Sequence, residues 1–479
     1  MGKPQNALEF RAEAPLRPAA INRGSVGPSP RHEARPRLAI VSADDELCGI
    51  GAYCRALEKQ LRAVFEVTVF GLDQIILRDK TRRARKAGDK LLKEICRQIA
   101  DFDAVNLQLE HGTLGRAAAD IYRRFGWLLA ASPQISVTFH TMLAAELDFA
   151  AWLKALAGLK PAIALQMGGD YLRHSVLSAG ILGQLRRAQR KKRVAAIVHN
   201  RIDKKRLELL YGVREVYDHP LSFLSEEDAE TIRASARRES FASVARLSAE
   251  TKLVGVFGFL NRYKGFDTVI RALYHLPENY HLLIFGGVHP NDIRRDEAIH
   301  PDLKRLLAAA HVDASLFETP RKSGAQSAPL FSLALDASLR DLLLRHPKDL
   351  SDRIHFMGAL AERDFLAGMT ICDAVVLPYL EVGQSSSGPL SQSLELGCRV
   401  IASRSRTFLQ MARYHKDRIE FFDIGNHLEL AEKIAAPSQC RRQPLTFNIE
   451  TNKAVYFAAN RAPAELLDLG FVAGRERVG

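Results

Sequence analysis

The sequence predicts an α/β protein made of two doubly wound, Rossmann-like domains facing a cleft, and three observations lead there. Short apolar runs alternate with longer helical stretches from Arg37 onward, the pattern of a parallel sheet covered by helices on both faces. The alternation stops near Val216, passes through a polar stretch opened by Ser225-Glu-Glu-Asp, and starts afresh at Leu253. In both series, turns rich in small or polar residues follow apolar runs, where open α/β sheets present their ligand-binding edge.

Taken in order, residues 1–36 are rich in Pro, Ala, Arg and polar groups without period and are expected to form a disordered leader. Strands are expected at Leu38–Val41, Val67–Phe70, Ala104–Leu109, Ile135–Phe139 and Val194–Val198, closing near Val216, so that residues 37–224 form the first domain. Ser225 followed by three acidic residues is a helix-capping pattern, and residues 225–250 read as the linker. The second domain, residues 251–435, has expected strands near Leu253–Phe257, His281–Phe285, Arg353–Met357, Asp373–Leu377, Arg399–Ala402 and Ile419–Phe422. An insertion between Gly287 and Asp352 carries a helical section, Ala334–Arg345, and residues 436–479 read as a tail with no legible element.

Composition narrows the partners. With 479 residues, 47% hydrophobic and 26% charged, the chain can bury large cores, and its net charge of +13 suits an anionic partner such as a nucleotide, a nucleic acid or an acidic membrane surface. Lys and Arg concentrate at Arg78–Lys86 and Arg186–Arg193, both in the first domain, which are either solvated helix faces or a docking surface for anionic membrane. No aromatic-interleaved motif of the nucleic-acid-binding modules accompanies them. No apolar stretch approaches the ~20 residues that span a bilayer, so a cytoplasmic, at most membrane-peripheral, protein is expected. The six cysteines are scattered without metal-ligand spacing and are expected to be reduced.

The run Gln384-Ser-Ser-Ser-Gly-Pro-Leu-Ser-Gln392-Ser-Leu-Glu-Leu-Gly397 carries the clearest chemistry. Ser387 or Gly388 can cap a helix here, Pro389 suits its first turn, and Gly397 suits the left-handed position that ends it. Ser385, Ser386, Ser387 and Gly388 would then leave amides bare at the positive end of a helix dipole, as a phosphate or diphosphate requires. Lys264, in the turn Gly258-Phe-Leu-Asn-Arg-Tyr-Lys-Gly265, is held at the same edge and can neutralise a leaving diphosphate, while Arg262 either forks onto it or faces water. In the first domain Gly49 and Gly51 let backbone approach a ligand, although the full dinucleotide fingerprint is missing. Glu110-His111 and His140-Thr141 end two further expected strands, and Asp44-Asp45 is the nearest thing to a metal-binding carboxylate pair.

Over roughly residues 37–435 these motifs, in this order, resemble the retaining GT-B glycosyltransferases of glycosyltransferase family 4. The resemblance rests on Gly49-Ile-Gly51, Gln108-Leu-Glu-His111, Thr138-Phe-His140, His219-Pro220, Gly258 to Gly265, Phe285-Gly286-Gly287, Phe356-Met-Gly358 and the Ser-Gly loop with its helix. It implies a nucleotide-diphosphate sugar, UDP- or GDP-linked, held as substrate by the second domain, an acceptor held by the first, and transfer of a hexosyl group with retention of configuration. The acceptor would be a glycan, a lipid-linked or a small molecule, and neither a metal nor a separate cofactor is implied. His140 matches the family histidine that contacts the donor sugar, Gly358 a turn whose backbone meets the base, and Lys264 with the Ser-Gly amides the diphosphate site. Two features depart from the family pattern. Gln384 and Gln392 stand where it has glutamates, and Phe259 stands where it has an arginine, leaving Arg262 as a stand-in. Glutamine keeps hydrogen-bonding capacity without the charge, so a non-catalytic sugar-nucleotide or polyanion binding module of the same fold is the competing expectation.

Overall fold

A computed structural model describes residues 35–43, 49–110, 112–142, 149–158, 161–288, 301–310, 350–381, 383–415, 417–438 and 449–461. The expected leader before Arg35, the Asp44-Asp45 pair, His111, the helical section 334–345 and most of the 288–352 insertion lie outside these residues.

The first sheet has six strands: β1 (Arg37–Ala43), β2 (Glu66–Leu72), β3 (Ala104–Leu109), β4 (Ile135–Phe139), β5 (Val194–Val198) and β6 (Val216–Asp218), in the order β2-β1-β3-β4-β5-β6. All pairings are parallel, with Leu109 opposite Phe139 and Phe139 opposite Val198. Every residue of β3, β4 and β5 is buried; β5 accordingly reads as a continuous apolar run, whereas β3 and β4 alternate apolar residues with the buried polar Asn106, Gln108, Ser136 and Thr138. The second sheet is again six-stranded and parallel: β7 (Lys252–Phe257), β8 (Tyr280–Phe285), β9 (Ile354–Gly358), β10 (Ala374–Leu377), β11 (Val400–Ser403) and β12 (Ile419–Phe422), in the order β12-β11-β10-β7-β8-β9. Strand order reverses between β1 and β3 in one sheet and between β7 and β10 in the other, and such switch points open a crevice at the carboxyl edge.

Pro36–Gly479 forms one compact unit, so the two sheets share a frame. One apolar core runs from Leu38, Ile40 and Tyr53 through Phe223 and Phe241 to Leu390 and Val400, crossing from the first domain to the second. The capped helix expected after Ser225 is present: Ser225 Oγ accepts from the Asp228 amide at 3.0 Å, and the first turn holds three acidic residues that favour the helix dipole.

The tail contains an element that the sequence did not announce. Residues Ile449–Asn460 form a helix that returns to the first domain, where Tyr456 pairs with Tyr53 (3.2 Å) and Thr138 (3.1 Å). Ser136 donates to Asn460 Oδ1 at 2.8 Å, and Asn452 donates to Gln60 at 2.7 Å. The helix was missed because its apolar residues bunch at Ala454–Ala459 instead of recurring at helical spacing, and its polar anchors have partners hundreds of residues away.

Candidate functional site

The loops after β7 and β10 meet at the switch point of the second sheet, and they fit only because of glycine. Gly265 adopts φ +63°, and a Cβ there would stand 2.0 Å from the Pro378 carbonyl oxygen. Leu380 donates its amide to the Tyr263 carbonyl at 2.7 Å, closing the two loops onto each other. The turn after β8 packs equally closely: a Cβ on Gly286 would meet the Gly258 carbonyl oxygen at 1.9 Å, and the Gly286 amide donates to Gly358 at 2.8 Å. Gly286 is thereby fixed as a packing requirement, whereas Gly358, with φ +74° and open space around it, presents backbone outward.

Within this frame the lysine expected at an exposed edge is buried. Lys264 is 7% exposed, its Nζ donates to Tyr379 Oη at 2.6 Å and lies 3.8 Å from the Tyr379 ring centroid and 5.0 Å from that of Tyr263. Burial pulls its pKa down to about 7. Among the described residues no carboxylate forms an ion pair with it. Two aromatic faces and one hydroxyl are a poor substitute for a counter-ion, so the position favours a bound anion. Arg262, two residues earlier, is exposed and forms no ion pair among the described residues.

The Ser-Gly loop supplies donors beside this lysine. Ser387 is the N-cap of the Gly388–Glu395 helix, accepting from the Leu390 amide at 3.4 Å, with Pro389 in the first turn and Gly397 at φ +72° beyond the end. Ser387 Oγ also pairs with Tyr379 Oη at 3.3 Å, which links the cap to Lys264. The amides of Ser385, Ser386 and Ser387 donate to nothing among the described residues. Gln384 Nε2 donates to Tyr263 Oη at 3.0 Å and its carbonyl accepts from Thr407 Oγ1 at 2.5 Å, whereas Gln392 is buried in the helix.

The first sheet presents a different edge. His140 Nε2 donates to Gln108 Oε1 at 2.7 Å, and Gln108 Nε2 donates to Asn106 Oδ1 at 2.5 Å. Asn106 in turn donates to Ser136 Oγ (2.8 Å) and Thr138 Oγ1 (3.1 Å), carrying the chain of bonds to Tyr456 on the returning helix. Burial, then neighbouring His199, pushes the His140 pKa well below the usual histidine value, so its ring is neutral with Nδ1 left as an acceptor. His199 donates from Nδ1 to the His219 carbonyl at 3.0 Å, and burial brings its pKa to about 4. Its Nε2 is buried and makes no hydrogen bond among the described residues. Tyr53 stands edge-on to His140 (5.5 Å), His199 (5.7 Å) and Phe223 (5.5 Å). Gly49 and Gly51 begin the Gly49–Leu61 helix that carries Tyr53; Gly49 is exposed with open space around it, while Gly51 is buried.

The two edges touch through Ser385. Its Oγ accepts from the Met142 amide at 3.1 Å, and its carbonyl accepts from Asn200 Nδ2 at 3.0 Å. Phe223 lies against Gly388, where a Cβ would be 3.4 Å from the ring, and Glu395 accepts from the Phe223 and Leu224 amides at 2.9 and 3.1 Å. Between them a cavity of about 290 Å³ is lined by Thr141, Met142, Asn200 and Asp203 of the first domain and by Gln384 and Ser385 of the second.

Among solved structures the chain is similar to α,α-trehalose 6-phosphate synthase from Burkholderia multivorans, with a TM-score of 0.57 at 11% identity over 92% of this chain and 99% of that one. It is similar to sucrose-phosphate synthase from Thermosynechococcus elongatus, at 0.52 and 16% over 92% and 100% of the two chains. Anabaena Alr3699/HepE, solved in complex with UDP and glucose, matches at 0.50 and 13% over 91% and 100%. The chain has the GT-B fold. No protein-family model and no curated protein matches the sequence, and at these identities the likeness to solved structures establishes the fold alone.

On this GT-B frame Lys264, Gln384 and Ser385–Gly388 come together at one edge and His140 at the other, with Gly358 at the rim of the second sheet. The sequence did not single out Tyr379, Tyr263, Tyr53 or His199. His199 had a signal, since it follows the apolar run Val194–Val198 just as His140 follows Ile135–Phe139. The tyrosines had none, because an aromatic after a strand reads as core. Glu395 holds Phe223 and Leu224, just ahead of residues 225–250.

Proposed function

We propose that the protein is a retaining glycosyltransferase that moves a hexosyl group from a UDP- or GDP-sugar to a glycan, lipid-linked or small-molecule acceptor. The observation that carries this reading is Lys264: a buried amine, without a carboxylate partner among the described residues, beside bare amides at a helix N-terminus. A diphosphate placed there takes its hydrogen bonds from Ser385–Ser387 and restores the lysine's charge. As the bond to the sugar lengthens, negative charge grows on the diphosphate oxygen that leaves, and Lys264 stabilises it where it develops. The same oxygen takes the proton of the incoming hydroxyl on the same face of the sugar, so configuration is retained. His140, neutral and held by Gln108, serves as a hydrogen-bond acceptor for a sugar hydroxyl. The solved structure of Alr3699/HepE with UDP and glucose supports a UDP-linked donor.

A second reading, a sugar-nucleotide binding module without turnover, is favoured by Gln384, whose side-chain amide donates to Tyr263 where the resemblance calls for a carboxylate. A screen of UDP-, GDP- and ADP-sugars by thermal shift, followed by nucleotide release with and without acceptors, separates the two. A shift with release supports transfer; a shift without release under any acceptor supports the binding module; no shift with any nucleotide overturns both.

A further inference from the structure

After β4 the chain forms a helical pair, Phe149–Ala157 and Pro161–Ala188, whose outer part leaves the body of the first domain. In the long helix Leu177, Ile181, Leu182 and Leu185 are buried against the domain, while residues 161–176, roughly 24 Å of helix at 1.5 Å per residue, extend past that anchorage. The projecting part holds itself together: Trp152 Nε1 donates to the Ala164 carbonyl at 3.1 Å. Its outward side is apolar. Leu165, Leu172 and Val176 are 76%, 62% and 64% exposed, and their spacing of seven and four residues puts them on a single stripe. Leu153, Leu156 and Ile163 add exposed apolar surface, and no helix among the described residues is long and apolar enough to cross a membrane.

The charge around this stripe selects what covers it. Lys154 on the first helix of the pair and Arg173 on the second are exposed. The helix Arg82–Ile99 follows β2, so its first turns, with exposed Arg82, Arg83 and Lys86, lie toward the same carboxyl edge of the sheet past which the pair projects. A second copy of the chain docking on the stripe through a two-fold contact would bring two such basic rims together. We infer that the 149–176 helical pair lies in the interface of an anionic lipid bilayer, with Leu165, Leu172 and Val176 among the acyl chains and the basic rim on the headgroups. This surface begins a few residues after His140 and stands independently of the transfer reaction. It also separates the two basic clusters: Arg78–Lys86 belongs to the docking edge, whereas Arg186–Arg193 follows the buried half of the long helix.

The test uses the full chain with Trp127→Phe, which leaves Trp152 as the one tryptophan of the two in the sequence. Vesicles of phosphatidylcholine with and without phosphatidylglycerol, some with brominated acyl chains, are titrated without any nucleotide. Binding only to the anionic vesicles, weakened by salt, with a blue shift and bromine quenching of Trp152 and an at least tenfold loss in Leu165→Glu/Leu172→Glu, is the expected result. Because both leucines are exposed, the double variant should keep the wild-type melting temperature. Undiminished binding by that variant, equal binding to neutral vesicles, or no binding with concentration-dependent dimerisation through the stripe would each overturn the inference.

Discussion

At the edge of the second sheet a buried lysine has a tyrosine hydroxyl for company and three neighbouring amides donate to nothing among the described residues, whereas at the edge of the first sheet His140 is tied into a chain of hydrogen bonds five side chains long. Both edges are built from the same parts, parallel strands running into turns and helices. They differ in how far their polar groups are satisfied. An unsatisfied, positively biased edge favours a ligand that brings charge, and a satisfied, neutral edge holds its side chains rigid for a ligand that brings hydroxyls. The proposed division of work between the two edges rests on this contrast.

The largest expected effect breaks the charged half of this contrast. Lys264→Met keeps the packing between the two tyrosine rings and removes the charge, and sugar transfer should fall by roughly 10²–10³. Steady-state rates near those of the wild type would remove Lys264 from the reaction. A titration sharpens the same point. The lysine loses its proton near pH 7 in the empty protein but near pH 10.5 when unfolded, so the unfolded chain binds the extra proton and stability rises with pH across that window. A bound diphosphate favours the charged form, so binding at pH 8 should take up a proton and weaken as pH rises further. Calorimetry in two buffers of different ionisation enthalpy reads this directly, and zero uptake at pH 8 would contradict it.

On the neutral edge, His140→Ala should lower transfer on the order of 10²-fold, in the range for a positioned polar group, while UDP affinity changes little. Equal losses in both would move His140 to the nucleotide. Gln108→Leu, which deletes the bond that fixes the His140 ring, should give a smaller version of that effect, about tenfold in rate with the thermal shift by UDP unaltered. The smallest effect is expected where the edges meet. Ser385→Ala removes the hydroxyl that receives the Met142 amide and should cost about 1 kcal/mol of stability in denaturant unfolding.

Those residues were legible in the sequence to different degrees, for physical reasons. Lys264, Ser387 and Pro389 could be placed because a strand, a turn and a capped helix are local events, each marked within a few residues. Eleven of the twelve strands were legible, with ends within two residues of those expected, because Gly, Pro or polar residues end the runs, whereas β6 was marked only by the close of the alternation near Val216. The burial of Lys264 was not legible, since Tyr379 lies 115 residues away and joins it only when β7 and β10 pair. Nor was the helix Ile449–Asn460, whose polar anchors Tyr53, Thr138 and Ser136 lie hundreds of residues away.

That returning helix has a mechanical consequence. The polypeptide passes between the sheets once ahead of β7 and again between Ala435 and Ile449, so the domains are joined by two covalent straps. A body held by one strap can swing and twist in any direction, but one held by two can turn freely only about the line that joins them. Any turn of one sheet against the other is therefore restricted by two connections rather than one.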